Sequence, residues 1–123
     1  MRDHRRLVAF RLADELVMEI YKATRSFPKE EMYGLTSQMR RAAISVPANI
    51  VEACAQFSER AFVHQLETAH GSSRELAYLV NISSRLGYLA SGTAKPLVGK
   101  SDEVCRTLAG LIKSLRRSMG SSD

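Results

Sequence analysis

Cysteine is scarce in this chain of 123 residues: there are two, Cys54 and Cys105, without the close spacing of a zinc site or the number a disulfide framework needs. Each falls on an apolar helical face, so both read as small buried hydrophobes in a reducing, cytoplasmic compartment. Long uncharged apolar runs are absent as well. The basic start Met1-Arg2-Asp3-His4-Arg5-Arg6 is followed by Arg11, Asp14 and Glu15, which interrupt the apolar residues and argue against an export leader or a membrane span. There is no phosphate-cradling Gly-x-x-x-x-Gly-Lys, no nucleophile elbow and no motif that implies a cofactor. Alternating strand patterns and internal repeats are also missing.

What remains is helical periodicity. At this length one domain over residues 1–123 buries about two-thirds of its unfolded surface. Phe10, Ala13, Val17, Ile20 and Thr24 form a stripe, widened by Leu12, Leu16 and Tyr21, that predicts a helix over 7–25 ending before Phe27-Pro28. A second helix is expected over 35–54. Ser58 is a credible N-cap for a third over 59–86, and Gly87-Tyr88 is a left-handed stop with its apolar contact. A fourth, over 94–119, tolerates Pro96 in its first turn and carries Leu97, Val104, Leu108, Leu111, Leu115 and Met119 in register. An all-α, antiparallel up-down four-helix bundle is the economical arrangement.

Two details of the third helix call for an explanation. Gly71 lies in its middle, where glycine is unfavourable unless it lets another helix approach, so it reads as a packing notch. Leu76, Ala77, Tyr78, Leu79, Val80 and Ile82 are apolar almost all round the helix, whereas a surface helix keeps one polar face. Homo-oligomerisation through Tyr78, Leu79 and Ile82, helped by Val8 and Met18 on the first helix, is the simplest cover for the second side.

The second helix is the richest segment. Met39, Ala43, Val46, Ile50 and Cys54 recur at steps of three or four and should face a core, while Gln38, Arg41, Ser45, Asn49 and Glu52 follow the same period on an adjacent face. Pro47 removes a backbone donor and frees a carbonyl near Ala43, which should kink the helix. The polar stripe is expected to satisfy itself and that carbonyl, fixing helix register; the alternative is a ligand or partner site.

The internal Ser45-Val46-Pro47-Ala48-Asn49-Ile50-Val51-Glu52, with Phe27-Pro28 before it and Gly71-Ser72-Ser73-Arg74-Glu75-Leu76 after it, resembles the four-helix-bundle family encoded in intervening sequences of large (23S) ribosomal RNA. The likeness runs from roughly Phe10 to Leu115. It implies an all-helical protein that assembles into homo-oligomeric rings of five. It also implies kinship with the accessory protein of diversity-generating reverse transcriptases, which binds the transcriptase and nucleic acid. The family supplies no catalytic residues. One departure is that Ala53 and Cys54 follow the glutamate, where the family usually has glycine, so the turn after this helix is expected to differ.

Charge points the same way. Of the 18 Lys and Arg, six fall in residues 1–27 against four acidic residues and six in 91–123 against three, while the middle is balanced. In an antiparallel bundle both termini share one end, so Arg2, Arg5 and Arg6 should join Arg106, Lys113, Arg116 and Arg117 in a basic surface for RNA or DNA. No aromatic is interleaved on that face of the fourth helix, so sequence-tolerant phosphate binding is expected rather than base readout. Glu67-Thr68-Ala69-His70 is half of a di-iron bundle motif. Neither His4 nor His64 has a glutamate three residues before it, so no metal is expected. The sequence therefore reads as a non-enzymatic, homo-oligomeric nucleic-acid-binding bundle. Its rival is a protein-interaction adaptor that docks a partner enzyme.

Overall fold

The structure, a computed structural model, describes residues 2–120. Four helices carry nearly all of them: α1 (Val8–Thr24), α2 (Leu35–Cys54), α3 (Glu59–Arg85) and α4 (Ser91–Ser118), with short 3-10 turns at His4–Arg6 and Lys29–Glu31. No strand occurs among the described residues. The helices form a four-helix bundle in which α1 and α3 each pack on α2 and α4. Ile20, Met39, Ile50, Phe62, Leu66 and Leu108 are fully buried at its centre. Along α2, Met39, Ser45 and Asn49 in turn meet Ser83, Ser72 and Gln65 of α3. None of the helices among the described residues is long and apolar enough to cross a membrane.

Local chemistry explains the helix ends. The Ser58 hydroxyl accepts the Ala61 N–H at 3.1 Å and opens α3. At the other end Gly87 takes φ 78°, which only glycine adopts freely, and the Tyr88 and Gly87 N–H groups donate to the Ser83 and Ser84 carbonyls at 3.0 Å. The Tyr88 ring then packs on Phe27 and its hydroxyl donates to Glu31 Oε2 at 2.9 Å, tying α3 to the segment between α1 and α2. The departure after Glu52 is accommodated without glycine: Ala55 stays right-handed (φ −84°, ψ −9°) and its N–H returns to Glu52, while Ala53 and Cys54 are buried.

Four expectations change. Helix α4 starts at Ser91 rather than 94, which puts Pro96 inside it. The bond lost there is to the Gly92 carbonyl, and both residues face solvent, so the freed acceptor stays hydrated. In α2, Asn49 donates to the Ser45 carbonyl at 2.8 Å rather than to that of Ala43. The reason is angular: Ala43 sits on the core face and Asn49, six residues on, on another. Leu79, expected at an oligomer interface, is 6% exposed and belongs to the chain's own core. Helix α3 has a wide apolar face because it packs on two neighbours, and of that run only Tyr78 and parts of Ala77 and Ile82 are left outside.

Gly71 is the fourth. It is exposed, and a Cβ built there would meet nothing within 4 Å, so no helix packs against it and it is not a packing notch. With φ on the negative side, Gly71→Ala should raise stability by about 0.5–1 kcal/mol through helix propensity. A chemical-denaturation midpoint that stays put or falls would contradict this.

Candidate nucleic-acid interface

Arginines from the first described residues and from the end of α4 both pair with carboxylates of α3. The Arg2 N–H donates to the Cys54 carbonyl at 2.9 Å, and its guanidinium pairs with Glu59 and lies 3.8 Å over the Phe62 ring. Asp3 caps the following turn by accepting the Arg5 N–H at 3.1 Å and also binds the Arg5 guanidinium. Those bonds hold its carboxyl below the ordinary value. From the other end, Arg116 of α4 pairs with Glu67 of α3. Glu67 lies eight residues beyond Glu59, about 12 Å along the helix.

The seven basic residues singled out in the sequence thus divide in two. Arg2, Arg5 and Arg116 are held by Glu59, Asp3 and Glu67. Arg6, Arg106, Lys113 and Arg117 are exposed and make no ion pair among the described residues. Spacings of seven and four put Arg106, Lys113 and Arg117 on one side of α4, away from buried Val104, Leu108 and Ile112. This exposed trio, with Arg6, is what the predicted basic surface leaves open to an external anion.

Beside it the structure shows a feature that sequence reasoning used only to dismiss metal. A cleft of about 740 Å³ between α3 and α4 is lined by Glu67, His70, Ile112, Lys113, Arg116 and Arg117, among others. The Glu-x-x-His spacing was the signal that these two side chains share a face. Among the described residues no three His, Cys, Asp or Glu side chains gather as metal ligands. Burial, and after it the charge of Arg74, lowers the His70 pKa below its ordinary 6.5, so at neutral pH the positive charge of the cleft comes from its Lys and Arg residues.

The sign of the pH effect follows. Because the folded chain binds the His70 proton less readily than the unfolded chain, His70 lowers stability as pH falls through 6.5. An anion in the cleft favours the protonated ring, so oligonucleotide affinity should climb as pH falls from about 7 to 5, with His70→Gln flattening the climb. Fluorescence anisotropy across that range reads it, and identical profiles for the two proteins would exclude His70 from the interface.

The polar stripe of α2 lies elsewhere, against α3. Ser45 Oγ and Ser72 Oγ are 2.8 Å apart, Asn49 donates to Ser45 Oγ at 3.0 Å, and Gln65 donates to Asn49 Oδ1 at 2.7 Å and more weakly to Glu52 at 3.4 Å. Gln38 and Arg41 are outside this network and line a shallow cleft of about 370 Å³ with Ser45 and Glu75. Asn49→Ala should cost about 1 kcal/mol, the low end for a hydrogen-bonded group because its partners are only half-buried. An unchanged melting curve would mean that the network contributes nothing to folding.

Three comparisons bear on this architecture. A solved structure from Bacteroides thetaiotaomicron VPI-5482, described as a protein with unknown function from the S23 ribosomal protein family, aligns with TM-score 0.78 at 23% identity, covering 86% of this chain and 96% of that one. At that identity the likeness speaks for the fold alone. No curated protein matches the chain. The family model for the 23S rRNA-intervening sequence protein matches residues 5–110, which takes in α1, α2, α3 and most of α4. On that match the chain belongs to the 23S rRNA-intervening sequence protein family.

Proposed function

We propose that this protein is a non-enzymatic, homo-oligomeric, antiparallel up-down bundle that binds RNA or DNA through the surface formed by its chain ends. The observation that carries the reading is the exposed, unpaired trio Arg106, Lys113 and Arg117 on one side of α4, beside a cleft that adds Arg116. Cations without an internal partner lose little by exchanging hydration for phosphate contacts, and each contact releases a counterion. The antiparallel reading is supported by the opposite order of contacts along α2 and α3. The ring of five is what the sequence resemblance implies, and a ring would repeat the basic surface and raise avidity. Buried, unpaired Cys54 and Cys105 suit a cytoplasmic site of action.

The test is a titration of labelled RNA and DNA at several salt concentrations. Log affinity should fall linearly with log salt, with a slope near −0.9 per phosphate contacted on duplex DNA. A specific observation keeps the adaptor reading alive: Met18 of α1 is 70% exposed, and Ile44 and Val51 of α2 are also exposed. Apolar docking would show little salt dependence, so the same titration, run with a candidate protein partner, separates the two.

A further inference from the structure

The turn between α2 and α3 carries Phe57 with 92% of its surface exposed. A single exposed apolar residue is ordinary; the surroundings of this one are not. Three residues before it, the Cys54 carbonyl anchors the Arg2 backbone, and two residues after it Glu59 takes the Arg2 guanidinium. Three residues on, Arg60 is exposed and makes no ion pair among the described residues. Phe57 also precedes the N-terminus of a 27-residue helix. Ser58 accepts only the Ala61 N–H there, leaving the Glu59 and Arg60 N–H groups at the positive end of the dipole without an acceptor among the described residues. Tyr33, the other fully exposed aromatic at 93%, stands instead close to Glu30 and Glu31 in the sequence. Phe57 thus has a free ring face, one unpaired cation in Arg60 and free amides in the same turn, while Arg2 is committed to Glu59.

We propose that Phe57 is a stacking platform for an unpaired nucleobase, with Arg60 and the free N–H groups at the start of α3 holding the adjoining phosphate. The inference rests on the nucleic-acid reading and deepens it: the ligand is single-stranded RNA or DNA, because a base inside a duplex has no face to offer. The exposed cations of α4 are a separate set of phosphate contacts, which serve single and double strands alike. The preference among bases is weak, since every base has a π-face and the Gln56 amide beside the ring is turned back to donate to the Glu52 carbonyl at 3.1 Å.

The experiment uses the intact chain. Phe57→Ala should weaken binding of a mixed-sequence single strand about tenfold, the order expected for one lost base stack, and leave binding of a duplex of the same length unchanged. Circular dichroism should show native helicity, since the ring contributes little to the core. Phe57→Trp gives the chain its sole tryptophan, and single-stranded oligonucleotide should quench its fluorescence while duplex should not. Equal single-strand affinity for wild type and Phe57→Ala, or binding by Phe57→Trp without quenching, overturns the platform and leaves the basic-surface reading standing. Wild type that binds neither strand nor duplex at low salt overturns both.

Discussion

Glutamate at both Lys113 and Arg117 should lower RNA and DNA affinity by about a hundredfold or more at about 0.1 M salt, because each phosphate contact carries close to one log unit there relative to 1 M. Reversal adds repulsion to the loss of attraction. Both side chains are exposed, and neither has an internal partner among the described residues, so helicity and oligomer size should not change. The salt slope should shrink by about 2, one unit for each lost contact. Arg116 makes a poor third substitution: its guanidinium is committed to Glu67, and reversing it would set two carboxylates together and confuse folding with binding. Gel shift and anisotropy at two salt concentrations decide the matter. A double variant that binds as wild type does would move the nucleic-acid site off α4, and wild type that binds neither RNA nor DNA at low salt would hand the function to protein docking.

The second large effect concerns α3. Leu79→Asp should unfold the chain, since Leu79 is almost wholly buried between packed helices and an unpaired carboxylate there costs several kcal/mol, a large fraction of a small domain's total stability of about 5–15 kcal/mol. Ile82→Asp, three residues on and half-buried, should leave the helices folded. It is the sharper probe of self-association: if Ile82 and the exposed Tyr78 lie between copies, multi-angle light scattering should show the assembly fall to lighter species while circular dichroism stays native. A folded Leu79→Asp monomer would return Leu79 to the interface. An Ile82→Asp protein that keeps an oligomeric mass would place the contact on another face, where Met18, Ile44 and Val51 are exposed, and a monomeric wild type would overturn self-association itself.

The contrast between Leu79 and Ile82 shows where a single sequence stops. Both lie in an apolar run, and periodicity alone marks the run as facing apolar surface without saying whose. The basic residues divide in the same way. Arg116 and Arg117 are adjacent and alike in sequence, yet one is neutralised by a glutamate 49 positions earlier, on another helix, and the other is free.

Period and caps act within a few residues of the chain, and so the sequence by itself determined the helices. Ser58 and Gly87 bound α3 through hydrogen bonds to groups three to five residues away, and α2 begins and ends where its stripe does. The start of α4 escaped because a proline inside a helix is harmless only if its freed carbonyl faces water, and that orientation is tertiary. Which cations stay free, which side of α3 is spare, and that Arg2 is anchored to both sides of the turn carrying Phe57 were likewise decided only by packing. Each depends on an approach between segments far apart in the chain, and local pattern carries no record of that distance.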